Sequence, residues 1–157
     1  MAGENAEKDV EHRVAEVRGC DAGVFVQPAG EAGAGLARLG PADTKARAGT
    51  FAKADISRMA DAPRITKGVD AIVHLGGYSV GGPWENILQA NIVGCYNVFE
   101  AARRNGVKRI LFATSNHAVG FYPRTQKIDH HVYIKPDGRD GVSKVFGEER
   151  GSLYSDK

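Results

Sequence analysis

The sequence has little of several features that mark particular classes of protein. Two cysteines, Cys20 and Cys95, stand among 157 residues, which is too few for a disulfide framework and lacks the paired spacing of a zinc site. No apolar run approaches the roughly 18 residues that a membrane span needs, and the charged start has no apolar stretch typical of a secretion signal behind it. Lys and Arg number 21 against 19 Asp and Glu, so the charge gives no reason to expect nucleic acid or an anionic membrane as a partner. We therefore expect a cytoplasmic protein without a metal site.

The composition that remains is that of an ordinary globular domain. Hydrophobic residues make up 42% and charged residues 25% of the chain, and the length suits one domain. Residues 1–50 are rich in Ala, Gly and charge and contain one short β-like run, Val24–Val26. We expect this first third to be irregular or poorly packed, and residues 51–157 to form the core of a single domain.

The second part of the chain predicts a strand, a helix and another strand. Asp70–Leu75 is a short apolar run that ends at Gly76 and Gly77, as a strand buried on both faces does. Apolar residues then recur at steps of three and four over residues 87–102, which predicts a helix ending near Asn105 and Gly106. Arg109–Ala113 is a second apolar run, and residues 141–154 suit a last helix. This order predicts a right-handed βαβ unit in a parallel sheet, hence an α/β fold.

Polar side chains follow the two predicted strands where each strand ends. Ligands of open parallel sheets bind outside the carboxyl ends of the strands, so the residues after Leu75 and after Ala113 should share one crevice. The candidates there are Ser79, Ser115, Asn116 and His117. The alternative is that these loop residues are merely solvated or cap the segment that follows.

Four stretches, between about residues 50 and 155, resemble the extended short-chain dehydrogenase/reductases, and among them the uronate dehydrogenases. They are IVHLGGYSV (72–80), PWENILQANIVG (83–94), FATSNHAVGFYP (112–123) and PDGRDGVSKVFGE (136–148). The resemblance implies a partial Rossmann-like, doubly wound parallel sheet with NAD as the cofactor. It also implies oxidation of a hexuronic acid, such as glucuronate or galacturonate, at C1 to the lactone.

The resemblance further implies a catalytic set of serine, tyrosine and lysine, with the lysine four residues after the tyrosine. Ser115 takes the serine place and Lys144 the lysine place, but the tyrosine place holds Asp140. In the family the lysine and the nicotinamide favour a phenolate, which accepts the substrate hydroxyl proton while hydride passes to NAD. A carboxylate is a far weaker base. Asp140 and Lys144 alternatively form only an i,i+4 ion pair.

The other implied site residues divide between sugar and cofactor. Ser79, Ser115, Asn116 and His117 would line the sugar site. The residues that would face the cofactor are Gly30, Gly33, Asp55, Ile56, Leu75, Gly76, Gly77 and Lys144. Gln27 replaces the first glycine of the expected cofactor loop, so an Ala/Gly-rich surface loop is the alternative there, and a helix N-cap is the alternative for Asp55.

Two other functions stay open at this stage. One is a nucleotide-binding remnant without activity, and the other is a nucleotide-sugar epimerase or dehydratase. The expected partner is a small sugar acid, and a homo-oligomer is compatible with the sequence. His74, inside an apolar run, is expected to be a core histidine with its hydrogen bonds satisfied.

Overall fold

The computed structural model describes the backbone of three strands in the first third of the chain, and residues 54–78 and 82–157 in full. The strands are β1 (His12–Glu16), β2 (Val24–Gln27), β3 (Gly49–Lys53), β4 (Ala71–His74) and β5 (Arg109–Phe112). The helices are α1 (Ala62–Thr66), α2 (Trp84–Ile87), α3 (Gly94–Arg104) and α4 (Arg139–Ser155), with a π-helical turn at Leu88–Val93 and a 3₁₀ turn at Asn116–Val119. The predicted strands at 70–75 and 109–113 and the predicted last helix are confirmed, and the short run at 24–26 is a strand. β1 and the first residues of β3 are also strands within the region predicted to be irregular, and the remainder of that region lies outside the described residues.

The five strands form one sheet in the order β3-β1-β2-β4-β5. β1 runs parallel to β3 and β4 runs parallel to β5, whereas β2 runs antiparallel to both its neighbours. The sheet therefore differs from the expected parallel one at a single reversed strand. A short apolar run pairs in either direction, and its pattern does not encode which direction it takes.

The core lies between the sheet and the α1 and α3 helices. Ile72 of β4 is 1% exposed and packs in a cluster with Ile56, Ile65 and Val98. Each such side chain contributes roughly 1.5 to 3 kcal/mol when it is fully removed from water. The α3 residues that face this core follow the three- and four-residue spacing read from the sequence.

The helix predicted between Pro83 and Asn105 is confirmed, but it is not a uniform α-helix. Pro83 precedes α2, and the π-helical turn links α2 to α3. Asn105 ends α3, and Gly106 takes a positive φ of 73°, which glycine adopts without a steric penalty. Turns of the π type insert one extra residue and often mark functional sites.

α4 approaches the rest of the fold closely because two of its residues lack side chains. A methyl group at Gly141 would overlap the backbone carbonyl of His117, and one at Gly147 would overlap the Phe112 ring. α4 therefore lies directly on β5 and on the 3₁₀ turn that follows it. Within the described residues, no helix is both long enough and apolar enough to cross a membrane.

Candidate functional site

Lys144 lies where the segments after β4 and β5 meet. Its ammonium donates a hydrogen bond to the Ala113 carbonyl at 2.8 Å and lies 5.1 Å from the centre of the Phe112 ring. A Cβ at Gly77 would stand 3.3 Å from the same ammonium, so Gly77 leaves the space that the lysine occupies. The structure therefore brings Lys144, Gly77 and the end of β5 together.

Asn91, in the π-helical turn, connects the loop after β4 to α4. Its side-chain oxygen accepts from the Tyr78 amide at 2.5 Å, and its NH₂ donates to the Tyr78 carbonyl at 3.1 Å and to Ser143 Oγ at 2.7 Å. Asn91 is only 4% exposed, and a buried amide that is fully bonded fixes its neighbours. The position of the loop after Gly77 is thus set from the helix side.

The rim turn, residues 115–120, begins at Ser115. The Ser115 hydroxyl accepts from the His117 amide at 3.2 Å and so caps the 3₁₀ turn. The Asn116 side-chain oxygen lies 3.5 Å from the same hydroxyl. The three predicted sugar-site residues after β5 therefore share one turn, and Ser115 also has the capping role of the alternative interpretation.

His117 pairs with a residue that the sequence analysis did not select. His117 Nδ1 lies 2.8 Å from Asp137 Oδ1. The hydrogen bond to Asp137 raises the pKa of His117, and the charges of Asp137 and Asp140 raise it further. The rim turn therefore holds an imidazole that is more readily protonated than a free histidine.

Asp140 occupies the tyrosine place at the start of α4. The residue is buried, at 9% exposure, and its side-chain oxygen would stand 2.8 Å from a Cβ at Gly138. Its backbone carbonyl accepts from Ser143 Oγ at 2.6 Å. The ion pair with Lys144 considered as an alternative stays a hypothesis, since the contacts described above place Asp140 against Gly138.

Asp55 and Ile56 take mainly structural positions. The Asp55 carboxylate accepts from the amide and the hydroxyl of Ser57, at 3.0 and 2.6 Å, in a tight turn before α1. Ile56 is fully buried, and its carbonyl accepts from Asn97 at 2.8 Å. The N-cap of α1 is Asp61, so the alternative of a helix N-cap at Asp55 is wrong. Contact of Asp55 with a cofactor stays a prediction, and the Ile56 side chain belongs to the core.

Leu75 and Gly76 join β4 to this site. Leu75 is half-buried and Gly76 is buried. A Cβ at Gly76 would stand 3.2 Å from the His74 ring. Their contact with a cofactor stays a prediction.

His74 belongs to an inner cluster, formed with Phe99, Phe112 and Gly147. It is 1% exposed, and its ring lies 5.5 Å from that of Phe112 and 6.5 Å from that of Phe99. Neither ring nitrogen has a hydrogen-bond partner in the structure as described. Burial, with a smaller effect from Lys144, lowers the pKa of His74 to about 3. The prediction that it lies in the core is confirmed, but the prediction that its hydrogen bonds are satisfied is wrong.

Three predicted residues, Ser79, Gly30 and Gly33, lie outside the described residues. The strand before the two glycines ends with Gln27 opposite Ala71, the first residue of β4. Gly76 and Gly77 follow the other end of β4. The end of β2 and the Gly76–Gly77 segment therefore lie at opposite edges of the sheet.

Sequence reasoning missed two residues that shape the site. Asn91 carried a usable signal, because it is a polar residue on the apolar face of the predicted helix, where an amide needs partners. Asp137 carried none, since its role depends on a contact with the rim turn.

Known proteins are similar to this chain in sequence and in fold. Residues 17–154 match the model of the NAD dependent epimerase/dehydratase family. Uronate dehydrogenase of Pseudomonas syringae pv. tomato is 52% identical over 94 residues, which are 60% of this chain and 34% of that protein.

Two solved structures are similar to most of the chain. Glucuronic acid dehydrogenase of Chromohalobacter salexigens matches with a TM-score of 0.72 and 39% identity, over 94% of this chain and 47% of that one. A tyrosine-to-alanine variant of Agrobacterium tumefaciens uronate dehydrogenase in complex with NAD matches with a TM-score of 0.68 and 44% identity, over 79% and 44%.

The chain belongs to the NAD dependent epimerase/dehydratase family. The partial Rossmann-like α/β class expected from the sequence is confirmed by the likeness to these dehydrogenase structures. The chain spans about a third of the length of the curated relative and less than half of the two solved chains.

Proposed function

We propose that this sequence belongs to an NAD-dependent oxidoreductase that oxidises a hexuronic acid at C1 and releases the lactone. The observation that carries the proposal is the position of the Lys144 ammonium, 2.8 Å from the Ala113 carbonyl and beside Gly77. A fixed cation at the end of β5, two residues before Ser115 in the sequence, supports the arrangement implied by the resemblance. Uronate dehydrogenases that are 47 to 56% identical to part of this chain support the substrate class.

The described residues fit the nicotinamide ribose end of NAD. Gly77 lies close against Asn91 and Lys144, and a Cβ there would stand 3.1 Å from the Asn91 side-chain oxygen and 3.3 Å from the Lys144 ammonium. Backbone can approach a ligand closely at such a glycine. An ammonium carries three N–H donors, and Lys144 gives one of them to the Ala113 carbonyl. A group of this kind suits the hydroxyls of a ribose. NAD, when bound, supplies the acceptor for the hydride that leaves C1.

The protein side chains orient the sugar acid. Ser115 Oγ is a donor as well as an acceptor, so it can hold the C1 hydroxyl while it caps the turn. Asn116 and His117 then provide further polar contacts from the same turn, and we keep Ser79 in this set. The proton of the hydroxyl must pass to a base, which is the role that the family gives to the residue at position 140.

Asp140 favours a second candidate, a nucleotide-binding protein without turnover. A carboxylate is a weak base toward an alcohol, and it is shorter than a tyrosine by most of an aromatic ring. NAD and uronate would then bind without reaction. Nothing in the described residues favours an epimerase or dehydratase over these two candidates.

The first experiment is calorimetric titration of NAD into the purified protein. We expect binding, and we expect Lys144→Met to weaken it by about tenfold, since a hydrogen bond to a charged group contributes about 1.5 to 3 kcal/mol. Lys108→Met, at an exposed position before β5, is the matched control and should leave the affinity unchanged. No heat at millimolar NAD would contradict both candidates.

The second experiment separates them and tests the substrate. With NAD present, glucuronate and galacturonate should protect the protein from thermal unfolding, and UDP-glucose should not. Production of NADH from either uronate supports the oxidoreductase, while protection without NADH supports the binding protein. Protection by UDP-glucose alone would replace both with a nucleotide-sugar enzyme.

A further inference from the structure

The pair formed by His117 and Asp137 is tied together twice. His117 Nδ1 lies 2.8 Å from Asp137 Oδ1, and the Asp137 amide donates to the His117 carbonyl at 3.2 Å. These bonds join the rim turn to the segment before α4. Two more backbone bonds continue the same pairing, from Lys135 to Ala118 at 3.0 Å and from Phe121 to Lys135 at 3.1 Å.

The surroundings of the pair leave it little freedom. A methyl group at Gly120 would occupy the place of the Asp137 carboxylate, and one at Gly141 would overlap the His117 carbonyl. Glycine at both positions therefore lets the carboxylate and α4 come this close. A rotamer held by packing and by a hydrogen bond is pre-organised for binding.

The His117 ring is partly open to solvent. The His117 side chain is 48% exposed and that of Asp137 is 29% exposed. His117 Nε2 has no hydrogen-bond partner among the residues that the structure describes, and the Ser115 hydroxyl stands at the same turn. With Nδ1–H donated to Asp137, protonation of the ring places a second N–H on Nε2.

We propose that Asp137 is a positioning residue that holds His117 as a protonated donor, and that this donor selects sugars carrying a carboxylate over neutral sugars. The inference rests on the proposed function and extends it to the charge of the substrate. The carboxylates that face His117 are those of Asp137, before α4, and Asp140, on α4. Both favour the charged ring, and a charged donor bonds an anionic oxygen about twice as strongly as a neutral one.

The His117 ring must lose its proton as the pH rises, so the affinity for glucuronate should depend on pH in a defined direction. Since the carboxylates raise the pKa of His117, the donor is charged below that pKa and neutral above it. Glucuronate affinity should therefore fall as the pH rises through it. In Asp137→Asn the fall should begin at lower pH, because one of the two carboxylates is gone.

The test is calorimetry of glucuronate and of glucose against the NAD-saturated protein, as a function of pH. We expect Asp137→Asn to weaken glucuronate by about tenfold near pH 7 and to leave glucose unchanged. Asp156→Asn, an exposed carboxylate at the end of α4, is the matched control. Equal losses for both sugars, or an unchanged pH profile, would overturn the inference while leaving the proposed function in place.

A second measurement tests the role of Asp137 separately from the proposed function. In an NMR titration, with the His117 signal assigned by comparison with His117→Gln, the pKa of His117 should fall in Asp137→Asn. An unchanged pKa would show that Asp137 does not hold the proton. Failure of the wild-type protein to bind glucuronate would contradict the proposed function, and the substrate part of the inference with it.

Discussion

The inner cluster and the rim turn each contain one histidine, and their surroundings shift the pKa values of the two histidines in opposite directions. His74 lies among aromatic rings without a hydrogen-bond partner in the described structure, and its pKa falls to about 3. His117 is half-exposed beside Asp137, and its pKa rises. Burial disfavours the charged ring and a neighbouring carboxylate favours it. Burial therefore favours the neutral ring at His74, whereas His117 is the histidine for which we propose a role in charge recognition.

Replacing Asp140 by Tyr, next to the rim turn, has the largest expected effect. A phenolate near the Lys144 ammonium is a far stronger base than a carboxylate, so oxidation of glucuronate should accelerate by at least about 100-fold, the lower range for general base catalysis. NADH absorbance measures the rate. Asp156→Tyr is the control and should leave it unchanged. Background turnover in a variant that still binds NAD would contradict the assignment of position 140 to the tyrosine place.

Replacing Gly147 by Ala tests the inner cluster through packing. The added methyl group would overlap the Phe112 ring, which already contacts His74 and Phe99. We expect the free energy of unfolding to fall by about 2 to 3 kcal/mol, although alanine normally favours a helix. Urea denaturation measures the change. A variant as stable as the wild type would show that the cluster tolerates extra volume.

Replacing His74 by Leu tests how the inner cluster makes the free energy of unfolding depend on pH. Below about pH 6.5 the unfolded chain binds a proton that the folded chain does not, so His74 lowers stability as the pH falls toward about 3. Between about pH 7 and pH 5 this loss amounts to about 2 kcal/mol. The Leu variant should lack that part of the acid sensitivity. Urea denaturation at the two pH values, giving the same loss in both proteins, would contradict the pKa of His74.

Replacing Gly151 by Ala has the smallest expected effect, and this variant is the comparison for Gly147→Ala. A Cβ at Gly151 meets only Phe99, at 3.8 Å, which is ordinary contact. The helix propensity of alanine should therefore raise the free energy of unfolding by up to about 1 kcal/mol. A loss here as large as that at Gly147 would mean that α4 disfavours any added side chain, and the contrast between its positions would disappear.

The elements around the site were predictable because their patterns are local. The apolar run before Gly76, the three- and four-residue spacing of α3 and the signal at Asn105 each state a buried face and an end. Together they predict that the segments after β4 and β5 lie at the same edge of the sheet. The resemblance added the roles of Ser115 and Lys144, which no periodicity contains.

The remaining features depend on contacts between distant segments. The reversed direction of β2 is set by its two neighbours and not by its own residues. Asp137 acquires its role only when the segment before α4 meets the rim turn. Among the described residues His74 has no hydrogen-bond partner, because the rings around it offer none, and a sequence does not report what surrounds a side chain.

The π-helical turn between α2 and α3 changes the angular position of the residues on either side of it along one continuous helix. Its extra residue lets Asn91 reach Tyr78 and Ser143 while Val98 and Ala102 stay aligned with the core. Removing one exposed residue from the turn, such as Gln89, would rotate everything downstream by about 100°. After such a deletion, the hydrogen bonds of Asn91 and the packing of Val98 and Ala102 in the core could not both be kept. The length of this turn is therefore as much a part of the site as any side chain in it.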